Sequence, residues 1–276
     1  MGLLKTIDVD RLWQQEQGWD SDRKSGRKFD DEEELAFWVK AAPTYSDHFN
    51  LYRDLPPLRE MVNELAVPDA RIMDVGCGSG NFAIPLAERC KEVMGIDFSP
   101  DMLEQLEMKK EKNHLHNIKV ICEKWEDFSG PWQADYVIAI NSLYRCCYMK
   151  EALEKINRYA GKGFLLGRTI LKPFLSEIYK ELHVNYKRNN DYMLMPLFLW
   201  DMGIDAKVDF YSYPNVRIYE SWDEAESEIL QNIGELSYLN YSDLLKESFM
   251  KRAVKEGGGY RYSYFKDVEV ITYRKG

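Results

Sequence analysis

Between residues 71 and 170 two hydrophobic rhythms alternate. Short apolar runs at Ile72–Val75, Val93–Asp97, Ile118–Cys122, Tyr136–Ile140 and Phe164–Thr169 predict strands. Between them, apolar positions recur every three or four residues over Asn81–Cys90, Pro100–Asn113 and Met149–Tyr159, which predicts helices. Ser99 is placed to cap the second of these, and Pro100 suits its first turn. The run Val137-Ile138-Ala139-Ile140 is apolar on both faces, as a strand inside a parallel sheet must be. A series of strand, helix and strand units predicts a doubly wound α/β sheet.

The flanks have other patterns. Val9, Leu12 and Trp13 suit one side of a short helix, and the polar run Ser21–Lys28 reads as a loop. A helix with Leu35, Phe37, Trp38 and Val39 begins near Glu32, and the acids Asp30–Glu34 suit its positive N-terminus. Pro43 interrupts it. Tyr45, Phe49 and Tyr52 resume helical spacing, and Pro56-Pro57 opens a further helix that stops before Pro68. Residues 1–66 therefore read as a helical prefix, and 67–276 as the α/β domain. An insertion is expected at about 174–258. It holds predicted helices at Phe174–Arg188, Tyr192–Trp200, Trp222–Ile233 and Ser242–Glu256 and extended segments at Lys207–Tyr213 and Val216–Glu220. After the turn Gly257-Gly258-Gly259, two strands are expected, Tyr260–Phe265 and Val268–Tyr273.

Composition narrows the function. The 276 residues carry a net charge of -9. Lys109-Lys110 and Lys187-Arg188 are the densest basic clusters, and each reads as a solvated helix face. Nucleic acid is therefore not the expected partner. Cys77, Cys90, Cys122, Cys146 and Cys147 are odd in number and show no C-x-x-C spacing, which fits a reducing compartment without disulfides. The histidines show no metal spacing, so no metal is expected, and Cys146-Cys147 lacks the partner a soft-metal site needs. No run approaches the ~20 apolar residues of a membrane span. Met1–Thr6 lacks a signal-peptide core, and its Gly2/Thr6 match to the myristoylation pattern reads as chance. A cytoplasmic protein is expected.

The candidate chemistry centres on Asp74-Val75-Gly76-Cys77-Gly78-Ser79-Gly80. Glycines allow a tight turn and close approach of a ligand to the main chain. A dinucleotide site has its third glycine one residue later, so that pyrophosphate rests on a helix N-terminus. Here an acid precedes the turn, which suits a cation better than a phosphate. Asp97, about 20 residues on, closes the second strand where a carboxylate can accept two ribose hydroxyls.

These segments, with Gly95-Ile96-Asp97-Phe98-Ser99-Pro100-Asp101-Met102, resemble motifs I and II of class I S-adenosylmethionine-dependent methyltransferases. The resemblance spans roughly residues 70–170. It implies a Rossmann-like seven-stranded sheet with its last strand antiparallel, and S-adenosylmethionine as co-substrate. It also implies that Gly76, Cys77 and Gly78 offer main chain to the methionine part and that Asp74 holds its amino group, directly or through water. Asp97 would hold the ribose, with Phe98 and Met102 beside the adenine. The next motif departs from the family: Lys124 stands where an acid is common and Trp125 where a small residue is. Trp125 reads either as an adenine contact, through main chain or ring, or as a core residue.

Phe37-Trp38-Val39-Lys40-Ala41-Ala42-Pro43-Thr44-Tyr45 resembles the F-W-x-x-x-A-x-x-Y opening of a subset of small bacterial and archaeal methyltransferases, whose first helix forms a lid. On that basis Trp38 and Tyr45 either touch the cofactor or pack the lid. Asn141-Ser142-Leu143-Tyr144-Arg145 follows the fourth strand, where such enzymes bring the acceptor to the methyl group. Asn141 is a cofactor or acceptor candidate, and Tyr144 and Arg145 are pocket candidates. His48 is a candidate base. The aromatics from Tyr192 to Tyr219 wall an acceptor pocket or belong to ordinary core. The expected activity is methyl transfer to a small or medium-sized molecule. The alternative is a non-catalytic S-adenosylmethionine-binding module.

Overall fold

A computed structural model describes residues 7–19, 26–186, 190–233 and 235–276. The Met1–Thr6 pattern, most of the loop expected at Ser21–Lys28 and the Lys187-Arg188 cluster lie outside the described residues. The prefix forms α1 (Val9–Gln17), α2 (Asp31–Ala41), α3 (Tyr45–His48), α4 (Leu51–Asp54) and α5 (Pro56–Leu65). Then follow β1 (Arg71–Val75), α6 (Ala83–Ala87), β2 (Glu92–Asp97), α7 (Pro100–Lys112), β3 (Ile118–Cys122), β4 (Ala134–Ile140), α8 (Met149–Tyr159) and β5 (Ala160–Ile170). The remainder comprises α9 (Ser176–Glu181), α10 (Leu194–Asp201), β6 (Lys207–Tyr219), α11 (Trp222–Ile233), α12 (Glu235–Arg252), β7 (Val254–Glu256) and β8 (Gly259–Arg274).

The strands form one eight-stranded sheet in the order β3-β2-β1-β4-β5-β8-β6, with β7 paired to β8. The pairs from β3 to β5 are parallel. Lys275 donates to the Lys162 carbonyl, Phe164 meets Tyr273 and Arg168 faces Glu269, so β8 runs against β5. The fold is thus the Rossmann-like sheet expected, with a reversed last strand. Strand order reverses direction between β1 and β4, and ligands of such sheets bind beyond the strand ends at that point.

The chain divides into two compact units. The first comprises residues 1–168, 191–211 and 269–276. Its core packs Met73, Val75, Val137, Ala139 and Leu166 against Leu153 and Ile156 of α8. Trp13 of α1 is buried in the same core, edge-on to Phe198, and its Nε1 donates to the Cys146 carbonyl at 2.7 Å. The second unit comprises residues 169–190 and 212–268. Its centre is Phe249, stacked on Tyr262 at 5.2 Å and edged by Phe174, Tyr219 and Trp222. Among the described residues no helix is long and apolar enough to cross a membrane.

Local chemistry explains where the elements depart from expectation. Ser242–Glu256, read as one helix, ends at Arg252 and turns into β7. Gly257 and Gly258 both have positive φ, 57° and 93°, as a tight hairpin requires, and this hairpin pairs Val254 with Arg261. The two strands expected after it are one, β8. The extended segments at Lys207–Tyr213 and Val216–Glu220 are also one strand, β6. It passes through Pro214, which is tolerated because β6 is the last strand of the sheet. Phe174–Arg188 shortens to α9, and Asn81–Cys90 to α6.

Candidate functional site

The glycine turn follows β1, beside the end of β4. Gly76 has φ 70°, and a Cβ there would meet Ser142 Cβ at 2.1 Å. Gly78 has φ 51°, and a Cβ there would strike Met102 Cε at 2.9 Å. Neither position has room for a side chain, and both need the left-handed backbone that glycine adopts freely. The turn's amides point inward. Gly76 and Cys77 N–H donate to the Ile96 carbonyl at 2.7 and 3.1 Å, and Gly80 N–H to the Cys77 carbonyl at 2.9 Å. Gly78 N–H donates to Asp97 Oδ2 at 2.9 Å. These four donors are spent within the protein. The Cys77 thiol is buried close to Gly95, and burial pushes its pKa well up.

Asp74, in β1 beneath the turn, is 2% exposed. The Ala83 amide hydrogen-bonds to its carboxyl, but Oδ2 has no partner among the described residues. Burial, reinforced by Asp97, raises its pKa to about 8. Asp97 ends β2, and its second oxygen accepts from Ser99 N–H at 2.9 Å. Its pKa is raised, first by burial and opposed by these amides. Tyr45 faces Asp97, and burial followed by that charge raises the phenol.

The downstream candidates fall apart in space. Phe98 is half-buried under the Arg145 guanidinium, 4.8 Å from its ring centre. Met102 is buried against Gly78. Lys124 is committed to an ion pair with Asp31 of α2. The ring of Trp125 takes the core place: it stacks on Phe128, and its Nε1 donates to the Ala152 carbonyl at 3.1 Å. Its size and apolar surface, in a segment packed on α8, account for that burial. Only its main chain remains for a ligand.

From the prefix, α2 and α3 pack beside the turn, with Ser46 hydrogen-bonded to Ser79 and Tyr45 near Asp97. Trp38 meets Tyr45 edge-on at 5.3 Å, and its Nε1 donates to Glu34 Oε1 at 2.8 Å. Glu34 is fully buried, pairs with Arg27 at 2.8 Å and accepts the Tyr144 hydroxyl. Burial, then this carboxylate, pushes the Tyr144 phenol far up. Glu34 also raises Asp97. In the sequence Glu34 stands out only as one of the acids at the N-terminus of its helix. The usable signal was its spacing of four from Trp38, which sets both on one helix face.

Asp31 joins α2 to two loops through Lys124 and through Arg145, the latter at 2.5 Å. Arg145 also donates to the Lys28 carbonyl at 3.1 Å. Ser46 of α3 receives Lys109 Nζ at 2.5 Å, and the same ammonium caps the Ser79 carbonyl at 2.8 Å. Asn141 sits at φ 55° and donates its N–H to the Gly167 carbonyl at 2.8 Å. His48 is exposed on α3. Cys146 is buried and Cys147 half-buried. Among the described residues no cluster of three metal-ligating side chains occurs. Of the aromatic wall residues, Phe198 and Tyr219 are core, whereas Trp200 and Phe210 are exposed.

The site therefore gathers Asp74, Asp97, Glu34, Trp38, Tyr45 and Tyr144 around a turn whose amides are already used. Residues 72–163 match the family model described as a methyltransferase domain. A Haemophilus influenzae protein described as uncharacterized is 28% identical over 172 residues, covering 61% of this chain and 64% of that protein. The 23S rRNA (uracil(1939)-C(5))-methyltransferase RlmD of Aliivibrio fischeri is 34% identical over 76 residues, or 24% of this chain and 17% of RlmD. The chain thus spans less than two thirds of the length of these curated relatives. Among solved structures, the YcgJ protein of Bacillus subtilis aligns with TM-score 0.53 and 15% identity, over 79% of this chain and 98% of that one. A Bacillus halodurans protein described as a candidate methyltransferase aligns with TM-score 0.51 and 19% identity, over 79% and 98%. The structural likenesses establish the fold, and residues 72–163 are similar to a methyltransferase domain.

Proposed function

We propose that the protein transfers the methyl group of S-adenosylmethionine to a small or medium-sized molecule and releases S-adenosylhomocysteine. The observation that carries this reading is the polarity of the glycine turn. Its amides at Gly76, Cys77, Gly78 and Gly80 are spent internally, while Asp74 keeps an orphaned carboxyl oxygen beneath it. Such a turn is a poor cradle for pyrophosphate. It suits a ligand with an ammonium and a sulfonium. Asp97 has lone pairs left for the ribose hydroxyls, and Met102 and Phe98 flank the adenine position. Trp38 and Tyr45 cover the ligand from the lid, as in the F-W-x-x-x-A-x-x-Y subset.

When bound, the cofactor supplies an electrophilic methyl group. The chain's own work is to orient it and exclude water, and positioning of this kind can supply much of a methyl-transfer rate. Aromatic faces such as that of half-buried Trp38 favour a nearby cation by ~1 kcal/mol. The acidic chain and acidic site favour a small acceptor over nucleic acid, and the absence of any patterned cysteine pair fits a cytoplasmic setting. The test is incubation with tritiated S-adenosylmethionine and the low-molecular-weight and macromolecular fractions of a cell extract. Label should enter the small-molecule fraction and be lost in Asp97→Ala. Label only in RNA would overturn the acceptor class, and no label in any fraction would favour a binding module.

A further inference from the structure

Helix α8 grips the segment that follows β3 at several points. Lys155, half-buried on α8, donates from Nζ to the carbonyls of Trp125, Glu126 and Phe128 at 2.7, 2.8 and 2.9 Å. An ammonium has three protons, and all three are spent here on main chain. Among the described residues Lys155 makes no ion pair, although Glu126 and Asp127 are near enough to act on its charge. The Trp125 ring centre lies 5.1 Å from the same ammonium, and its Nε1 goes to the Ala152 carbonyl. Tyr159, one turn further on, packs on Trp125 and Phe128 and donates its hydroxyl to the Gly130 carbonyl at 2.8 Å. Withdrawing an ammonium from water is costly unless each donor is met, and here each one is.

The start of the same segment is tied to the cofactor side. Glu123 N–H donates to the Asp97 carbonyl at 3.0 Å, and the Cys122 thiol lies 3.8 Å from the Phe98 carbonyl. Asp127 and Phe128 N–H both donate to the Lys124 carbonyl at 3.1 Å. The amides of Lys124 and Trp125 have no partner among the described residues. The Lys124 side chain is drawn away to Asp31, and the Trp125 ring is core. What these two positions can offer an adenine beside Phe98 is main chain.

We infer that Lys155 is a positioning residue for the cofactor's adenine: its three carbonyl bonds hold the main chain at Lys124 and Trp125 where an amide donates to ring nitrogen N1. The inference rests on the methyl-transfer reading. It accounts for the missing acid after β3, since selectivity for adenine then comes from a main-chain donor held in place rather than from a carboxylate. A hypoxanthine ring carries a proton on N1, so the same amide meets a donor and the bond is lost. A site built to make a hydrogen bond rejects the analogue that cannot make it, provided the donor stays where it is. Lys155 itself touches no ligand. A lysine that merely stabilised α8 would change the melting temperature and leave this discrimination alone.

The test is calorimetric titration of the full chain with S-adenosylhomocysteine and S-inosylhomocysteine, with the melting temperature of each variant. Wild type should favour the adenosyl compound by about tenfold or more. Lys155→Met should cut that ratio to below about threefold by weakening the adenosyl compound, and Lys155→Arg, which keeps charge and donors, should restore most of it. Lys155→Gln, with two donors for three carbonyls, should fall between, and it serves where Lys155→Met does not fold. Ile156→Val trims the core face of the same helix, so it should lower the melting temperature and leave the ratio unchanged. Glu123→Gln should also leave it unchanged. Equal binding of the two compounds by wild type would overturn the inference. So would a ratio preserved in Lys155→Met and Lys155→Gln, lost equally in Ile156→Val, or lost in Glu123→Gln. In each of these cases adenosyl binding, and with it the methyl-transfer reading, would stand. No binding of S-adenosylhomocysteine by wild type would sink both.

Discussion

Gly76 shows how little room the site allows. A Cβ there would collide with Ser142, and its φ of 70° is one that other residues adopt only with strain. Gly76→Ala should therefore abolish S-adenosylhomocysteine binding in a calorimetric titration and lower the melting temperature. Glu34 is a different case. It joins Arg27, Trp38 and Tyr144 with no exposure of its own. Glu34→Ala strands all three of these donors and should cost about 1–3 kcal/mol in urea unfolding. Tyr144→Phe, which leaves the carboxylate its other partners, should cost less. At this scale Asp74, Gly76 and Asp97 were legible as candidates because such residues stand at fixed spacings along the chain. Glu34 was not. Its role depends on burial created by residues more than a hundred positions away, Tyr144 among them.

Among the elements, α2 is held by charge at one end and by aromatic contacts at the other. Asp31 is the hinge pin, shared by Lys124 and Arg145. Its hydrogen bond to Lys124 holds its pKa below the usual carboxylate range. The pair is half-exposed, so Asp31→Ala should change global stability by less than about 1 kcal/mol. It should nevertheless speed amide exchange across α2, measured by mass spectrometry, and the acceleration should be reproduced in wild type by high salt. Unchanged exchange would mean that the aromatic contacts alone hold α2. The strands of the sheet were legible from apolar runs, and α8 and α11 from their periodicity. The β7–β8 hairpin was not, since Val254–Glu256 is three exposed residues whose only signal is the glycine turn after them.

Across the whole molecule, two buried carboxyls, Asp74 and Glu269, share pKa values raised to about 8. Each folded-state value lies above its unfolded one, so the native state binds more protons than the unfolded state between about pH 4 and 8. Their contribution is fully present below the unfolded pKa and is lost as pH rises through 8. The melting temperature of the ligand-free protein should fall by about 5–10 °C between pH 5.5 and 8.5. Asp74→Asn and Glu269→Gln should each flatten that slope, and a level profile in wild type would contradict the burial of both groups. Carboxylates held low, Asp31 by Lys124 and Glu92 by Lys119, act oppositely and lose their contribution only below the ordinary carboxylate range.

The central claim is that the turn after β1 and the acid at the end of β2 bind an adenosyl cation. Calorimetric titration with S-adenosylmethionine, S-adenosylhomocysteine and oxidised nicotinamide dinucleotide tests it most directly. Both adenosyl compounds should bind one per chain, Asp97→Ala should weaken each at least tenfold, and the dinucleotide should not bind. Binding of the dinucleotide in their place, or adenosyl affinities untouched by Asp97→Ala, would contradict it.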